Sequence, residues 1–201
     1  MRKLLQLSLL ALALSGCQSF APSTTPITGN NLKAAKAHTA KLDQFNRWKA
    51  LGKIKITVDD QPHSASFEWQ QFKDNYAINF FGPFGYGSSW LRRTSKGVTL
   101  ESPEHPIQWA PTPEQLLQQT VGWQAPINEL QYWIKGQPAP AAIIDKVTTT
   151  PEGAYSALVQ QGWDIQLSRH QQYGELSLPH KLIASRQGLS VLIIIKQWER
   201  K

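Results

Sequence analysis

The chain has 201 residues, one cysteine, and 21 lysines and arginines against 14 carboxylates, for a formal charge of +7. That length holds one domain with a real core but not two large ones, and a lone cysteine excludes an internal disulfide, so the core holds by packing alone. The five histidines, His38, His63, His105, His170 and His180, are scattered without metal-ligand spacing. There is no Gly-x-Ser-x-Gly elbow and no glycine loop for phosphate, so no enzyme activity, metal or cofactor is expected.

Arg2 and Lys3 precede an apolar run from Leu4 to Leu14 that ends in small residues. A positive start, a short greasy stretch and a small-residue cut site describe a secretory signal peptide over residues 1–16, and the run is too short to span a bilayer comfortably. Leu14-Ser15-Gly16-Cys17 matches the lipobox of bacterial lipoproteins, in which the cysteine sulfur receives a diacylglyceryl group and cleavage frees an amine for further acylation. Cys17 is therefore the expected lipid attachment. Two or more acyl chains hold a protein firmly to a membrane. Gln18, rather than aspartate, follows the cysteine, which by the sorting rule of enterobacterial lipoproteins implies the outer membrane, on its periplasmic face. Residues 17–31, rich in Ser, Thr, Pro and Gly, read as the lipidated N-terminus and a flexible tether. An exported protein meets no nucleic acid. The basic charge then has two readings, attraction to anionic lipid headgroups or a modest solubilising excess, and the lysines and arginines form no dense block.

The folded body occupies residues 32–201. A helix is expected over 31–49, favoured by Ala34, Ala35, Ala37 and Ala40, with Leu42, Phe45 and Trp48 at helical spacing. Strict alternation then predicts strands at Ile54–Val58, around Ala65, Phe67 and Trp69, and around Tyr76, Ile78 and Phe80, with a turn at Asp59–Pro62 between the first two. Short strands follow near 88–93, 98–101 and 106–109, the cadence of an antiparallel meander. Thr112 as N-cap, Pro113 and Gln115 open a helix with Leu116, Leu117 and Val121 on one stripe, and Gly122 ends it. Pro126 opens a second, with Ile127, Leu130, Tyr132, Trp133 and Ile134 on a wide apolar face and Gly136 suited to its C-terminal cap. Strands resume at 143–149, 154–160, 163–168, 181–185 and 189–198. The two helices either plug the open side of a curved sheet or act as a movable lid.

Four segments in this order resemble the LolB family of outer-membrane lipoprotein receptors: Phe67-Glu68-Trp69-Gln70-Gln71, the turn Gly82-Pro83-Phe84-Gly85, the helix from Pro126 to Gly136, and the closing hairpin from Leu178-Pro179 to Trp198. The resemblance runs from about Phe45 to Trp198. It implies a mainly β fold with helices (α+β), a half-open antiparallel barrel of about eleven strands with a helical lid over a hydrophobic cavity. It also implies a receptor that takes acylated lipoproteins from the periplasmic carrier LolA and inserts them into the outer membrane. The partners implied are that carrier, the acylated cargo and outer-membrane lipids reached through Cys17; no nucleic acid is among them, and the receptor acts as a monomer. The family carries leucine where Phe84 stands; bulk and apolar character are kept.

Trp69, Trp133 and Ile134 are the residues expected in the acyl cavity, with Leu116, Leu117 and Leu130 on the lid. Tryptophans on regular elements have an equally good reading as plain core packing, and as cavity walls their broad rigid rings pack against disordered chains at small entropy cost. Phe84, held at a turn tip by Pro83 and Gly85, has three readings from its surroundings: folding back into the core, touching a partner, or dipping into the bilayer. The resemblance favours the bilayer, which makes Pro83, Phe84 and Gly85 the expected membrane-insertion loop. Two rival functions are a structural lipoprotein subunit of an outer-membrane assembly machine and, further off, a lipid-cleaving hydrolase.

Overall fold

The structure, a computed structural model, describes residues 25–26, 29–82, 87–103, 105–122, 124–140 and 142–201. The signal segment, Cys17 and the turn residues Pro83, Phe84 and Gly85 lie outside the described residues. Chain order is β1 (Thr25–Pro26), α1 (Gly29–Gln44), β2 (Arg47–Val58), β3 (Gln61–Phe72), β4 (Asn75–Phe81), β5 (Ser89–Thr94), β6 (Gly97–Ser102), β7 (His105–Ala110), α2 (Pro113–Val121), α3 (Ile127–Trp133), β8 (Ile144–Thr149), β9 (Tyr155–Gln160), β10 (Trp163–Ser168), β11 (Gln171–Tyr173), β12 (Leu176–Leu178), β13 (Lys181–Arg186) and β14 (Leu189–Arg200).

One antiparallel sheet runs in the order β1-β8-β9-β10-β13-β14-β2-β3-β4-β5-β6-β7, with β11 and β12 as a separate hairpin. Because β1 adds only a two-residue pairing, Thr25 and Pro26 opposite Thr149 and Thr148, the sheet has eleven strands of six residues or more. It does not close: β7 pairs only with β6, and β8 only with β9 and β1. The chain crosses between these two edges through α2 and α3, so the helices lie on the open side of a half-barrel.

Alternation decides which face is inside. Trp48, Ala50, Gly52 and Ile54 of β2 are buried while Lys53 and Lys55 are exposed, and Phe67, Trp69 and Gln71 repeat the pattern on β3. On β14 a bulge at Lys196 lets both Ile195 and Trp198 turn inward despite their odd spacing. Gly52 is required by close approach: a Cβ there would stand 2.2 Å from the Ile194 carbonyl oxygen and 2.8 Å from the Phe67 ring. Rings then interlock across the inner face, with centroids 6.0 Å apart for Phe45 and Trp198, 5.2 Å for Trp198 and Trp48, 5.5 Å for Trp48 and Trp69, and 5.9 Å for Trp69 and Tyr76.

Two expectations are corrected, and three short strands are added. The first helix ends at Gln44 rather than 49, because Trp48 and its alternating successors pair with β14 on one side and β3 on the other; two ladders of hydrogen bonds outweigh a helical spacing of three apolar residues. The turn after β2 is only Asp59 and Asp60, both left-handed with φ of 45° and 64°, and Pro62 lies within β3 opposite Thr57. The hairpin of β11 and β12 and the short β1 have no counterpart in the sequence pattern, being too brief to show a period.

Candidate functional site

The cover over the concave face starts from local signals. Thr112 caps α2 by accepting a hydrogen bond from the Gln115 amide at 3.2 Å, Pro113 occupies the first turn, and Gly122 closes the helix with φ of 79°. α2 packs on β6, β7 and α3 and buries Leu116 completely. α3 turns Ile127, Leu130 and Trp133 inward, and Gly136 ends its last turn with φ of 87°.

All six residues expected around an acyl site lie in this region of the core. Trp69, Leu116, Leu130, Trp133 and Ile134 are buried, and Leu117 packs against them partly exposed. Trp69 and Leu130 share a wholly apolar gap with Ile54, Phe67, Ile78, Phe80, Ile127 and Ile193. Trp133 lies apart from it. Its ring meets Trp163 at 6.0 Å, and its indole nitrogen donates to Gln160 Oε1 at 2.8 Å. The gap measures about 10 Å³, because the side chains of α2 and α3 occupy the concavity. A space of that size barely admits one water, let alone a hydrocarbon chain.

Polar ties hold the cover at its corners, and none of them stood out in the sequence. Arg93 of β5 donates to Asn128 of α3, and Asn128 Nδ2 donates to Glu114 of α2 at 3.2 Å, so one amide joins sheet and both helices. Gln71 takes the Trp69 indole hydrogen at 2.9 Å and donates to Gln131 of α3 at 2.9 Å. Gln160, fully buried, also donates to the Ala139 and Ala142 carbonyls. The available signal was parity: Gln71 continues the inward row of Phe67 and Trp69, and Gln160 that of Leu158, so each is a polar group set where a partner is obligatory.

Lys135, just past α3, is 5 % exposed and donates to the Leu42 and Phe45 carbonyls at 3.1 and 3.3 Å, pinning the end of α1. Burial pulls its pKa down to about 8, against a smaller opposing pull from Asp43. Burial pushes the Tyr76 hydroxyl up and, less strongly, the Glu129 carboxyl. It lowers His38 and His170, which favours the neutral rings; the unfolded chain then takes up protons the folded one refuses, and stability falls as pH drops through the ordinary histidine range. No group of three or more potential metal ligands occurs among the described residues.

A half-open antiparallel barrel whose largely apolar concave wall is roofed by two short helices defines the class of open β-folds with a helical cover. The family of the outer membrane lipoprotein LolB matches residues 46–198, and the chain belongs to it. Relatives named outer-membrane lipoprotein LolB include one from Cellvibrio japonicus, 34 % identical over 95 % of this chain and 93 % of its own length, and one from Pseudomonas putida, 30 % identical over 99 % and 96 %. A solved LolA superfamily protein from Nitrosomonas europaea aligns over 83 % of this chain and 93 % of its own, with a TM-score of 0.49 and 8 % identity. The family is one of lipoprotein-trafficking receptors rather than enzymes, and this chain is an outer-membrane lipoprotein receptor. No helix among the described residues is long and apolar enough to cross a membrane.

Proposed function

We propose that this receptor accepts the acyl chains of lipoproteins on the concave wall now covered by α2 and α3, taking them from a LolA-like periplasmic carrier and passing them to the membrane in which Cys17 anchors it. One observation carries the reading. The concave wall is mainly apolar, and the helices over it are only nine and seven residues long, strung between β7 at one edge of the sheet and β8 near the other and tied by few polar bonds.

An acyl chain enters by replacing helical side chains, not by filling a standing hollow. Leu116, Ile127 and Leu130 leave the wall, hydrocarbon takes their place, and the wall stays covered. Three acyl chains left in water would cost on the order of tens of kcal/mol at about 0.8 kcal/mol per methylene, so every step has to keep them buried. Exchange of apolar cover for apolar cover leaves only the polar ties and the ordering of two short helices to overcome, and handover needs no nucleotide when the receiver binds the chains more favourably than the donor.

Phe84, with Pro83 and Gly85, is the proposed membrane-insertion tip. Burying one phenylalanine is worth only about 1.5–3 kcal/mol, too little to anchor but enough to orient the site at release. The test is reconstituted transfer from carrier to vesicles. Phe84→Glu is expected to accept cargo and fail to release it; normal incorporation overturns the tip assignment. Cys17→Ala is expected to accept cargo without being anchored. Saturable binding of a fluorescent fatty acid supports the concave site, its absence in a folded protein favours a scaffold subunit, and hydrolysis of a broad ester panel would mark an enzyme.

A further inference from the structure

The convex face of the sheet divides into two unlike halves. Where β2 to β6 approach the Lys73–Asp74 and Ser95–Lys96 turns, Lys49 is paired with Glu68 and Glu199, Arg92 with Glu101, and Arg47 stacks on the Phe72 ring. Towards the opposite end, register aligns Ile183, Leu192, Lys55 and Ser64 in one cross-strand row and Lys181, Ile194, Lys53, Ser66 and Phe81 in the next. Parity turns all of these outward. Among the described residues, Lys53, Lys55 and Lys181 form no ion pair. Lys53, Lys55, Ser64, Ser66, Leu192 and Ile194 line a predominantly apolar groove of about 470 Å³ that reaches Gly82.

We propose that this half of the convex face is a docking surface for anionic phospholipid, which lays the sheet against the bilayer that holds the anchor. Branched aliphatic side chains form the floor, and unpaired ammonium groups stand among them on flexible stems. That is the arrangement that sinks a few ångströms into the headgroup boundary while lysines reach up to phosphate. An acidic protein partner fits less well. Lysine is depleted from protein interfaces, and these rows carry no arginine, tyrosine or tryptophan to act as an anchor. The assignment is independent of whether acyl chains occupy the concave face.

The chain's single cysteine is the one expected to carry lipid, so an introduced thiol can be labelled uniquely. Full-length lipidated protein is reconstituted into vesicles with and without 30 % phosphatidylglycerol. A fluorophore is placed at Ser64→Cys in the groove or at Gln70→Cys, on the same strand and face but in the paired half, and is read by a lipid-borne quencher. Strong quenching at 64, weak quenching at 70, and dependence on anionic lipid and low salt are expected. The triple variant Lys53→Ser, Lys55→Ser, Lys181→Ser should weaken the association on the order of a hundredfold, about fivefold per lysine, while Lys→Arg at the same positions retains it. Circular dichroism checks that each variant is folded. Equal quenching at the two positions, or quenching indifferent to vesicle charge, overturns the proposal. So does a fluorophore at 64 that the lipid quencher leaves untouched and that becomes shielded only when an acidic carrier protein is added, which would assign the face to a protein.

Discussion

The two faces of the sheet are built from the same strands by opposite rules. The concave face ties Gln71, Gln160 and Asn128 to partners, interlocks its rings, leaves the Trp48 and Trp198 indole nitrogens and the Tyr76 hydroxyl without one, and keeps a gap of about 10 Å³ under the helices. The convex face, at the end near Gly82, leaves three lysines unpaired and a groove of about 470 Å³ open. The difference teaches where function is stored. On the proposed reading, function on the inner face lies in a closed arrangement that has to be displaced, and on the outer face it stands ready without a change of shape. Substitutions inside should therefore act through stability and opening, and substitutions outside through surface attraction alone.

The largest break in this contrast is Trp133→Ala. Its ring is fully buried and its loss also removes one of the two hydrogen bonds that Gln160 Oε1 accepts, so unfolding in urea should show a cost of about 3–5 kcal/mol. A cost below 1 kcal/mol would mean that α3 is not seated on the sheet in solution.

Next comes Lys135. With its folded pKa at about 8 against an ordinary 10.5, the unfolded chain holds more protons between those values. Stability should therefore rise by about 2 kcal/mol from pH 8 to pH 10. Above pH 10 Tyr76, held protonated by burial, opposes the gain, because the unfolded chain then sheds a proton the folded one keeps. Lys135→Met should flatten the rise between pH 8 and 10 in urea titrations at fixed ionic strength.

A smaller effect sharpens the reading of the cover. Asn128→Ala cuts a side-chain link joining β5, α3 and α2, and should cost about 1 kcal/mol of stability. If opening admits the ligand, the same change should tighten binding of a fluorescent fatty acid by up to about fivefold, since less is lost on opening. Weaker binding would mean that the helices form part of the site rather than its cover.

The smallest expected change is the most discriminating. Lys53→Ser with Lys55→Ser should move stability by less than about 0.5 kcal/mol, because both side chains are exposed and unpaired, yet it should weaken the hold of the convex face on anionic vesicles. A large stability loss would place these lysines in the architecture of the sheet.

Much of this was legible in the chain itself. Alternation along Ala65-Phe67-Trp69 and Tyr76-Ile78-Phe80 marked the strands and their inner faces, because a pleat exposes every second side chain to one side. Thr112, Pro113, Gly122 and Gly136 marked where the two inserted helices start and stop, because capping depends on neighbours a few residues away. The order of four short segments marked the family. Tertiary structure alone decided the rest. The helix that local spacing extended to Lys49 gave way to β2, since β14, at the far end of the chain, supplies half of that strand's pairing. The meeting of Arg93, Asn128 and Glu114, the burial of Lys135 and the filled concavity depend on how distant elements pack. The two aliphatic and basic rows on the convex face depend on register, which joins residue 183 to residue 64 across four strands and which no local pattern specifies.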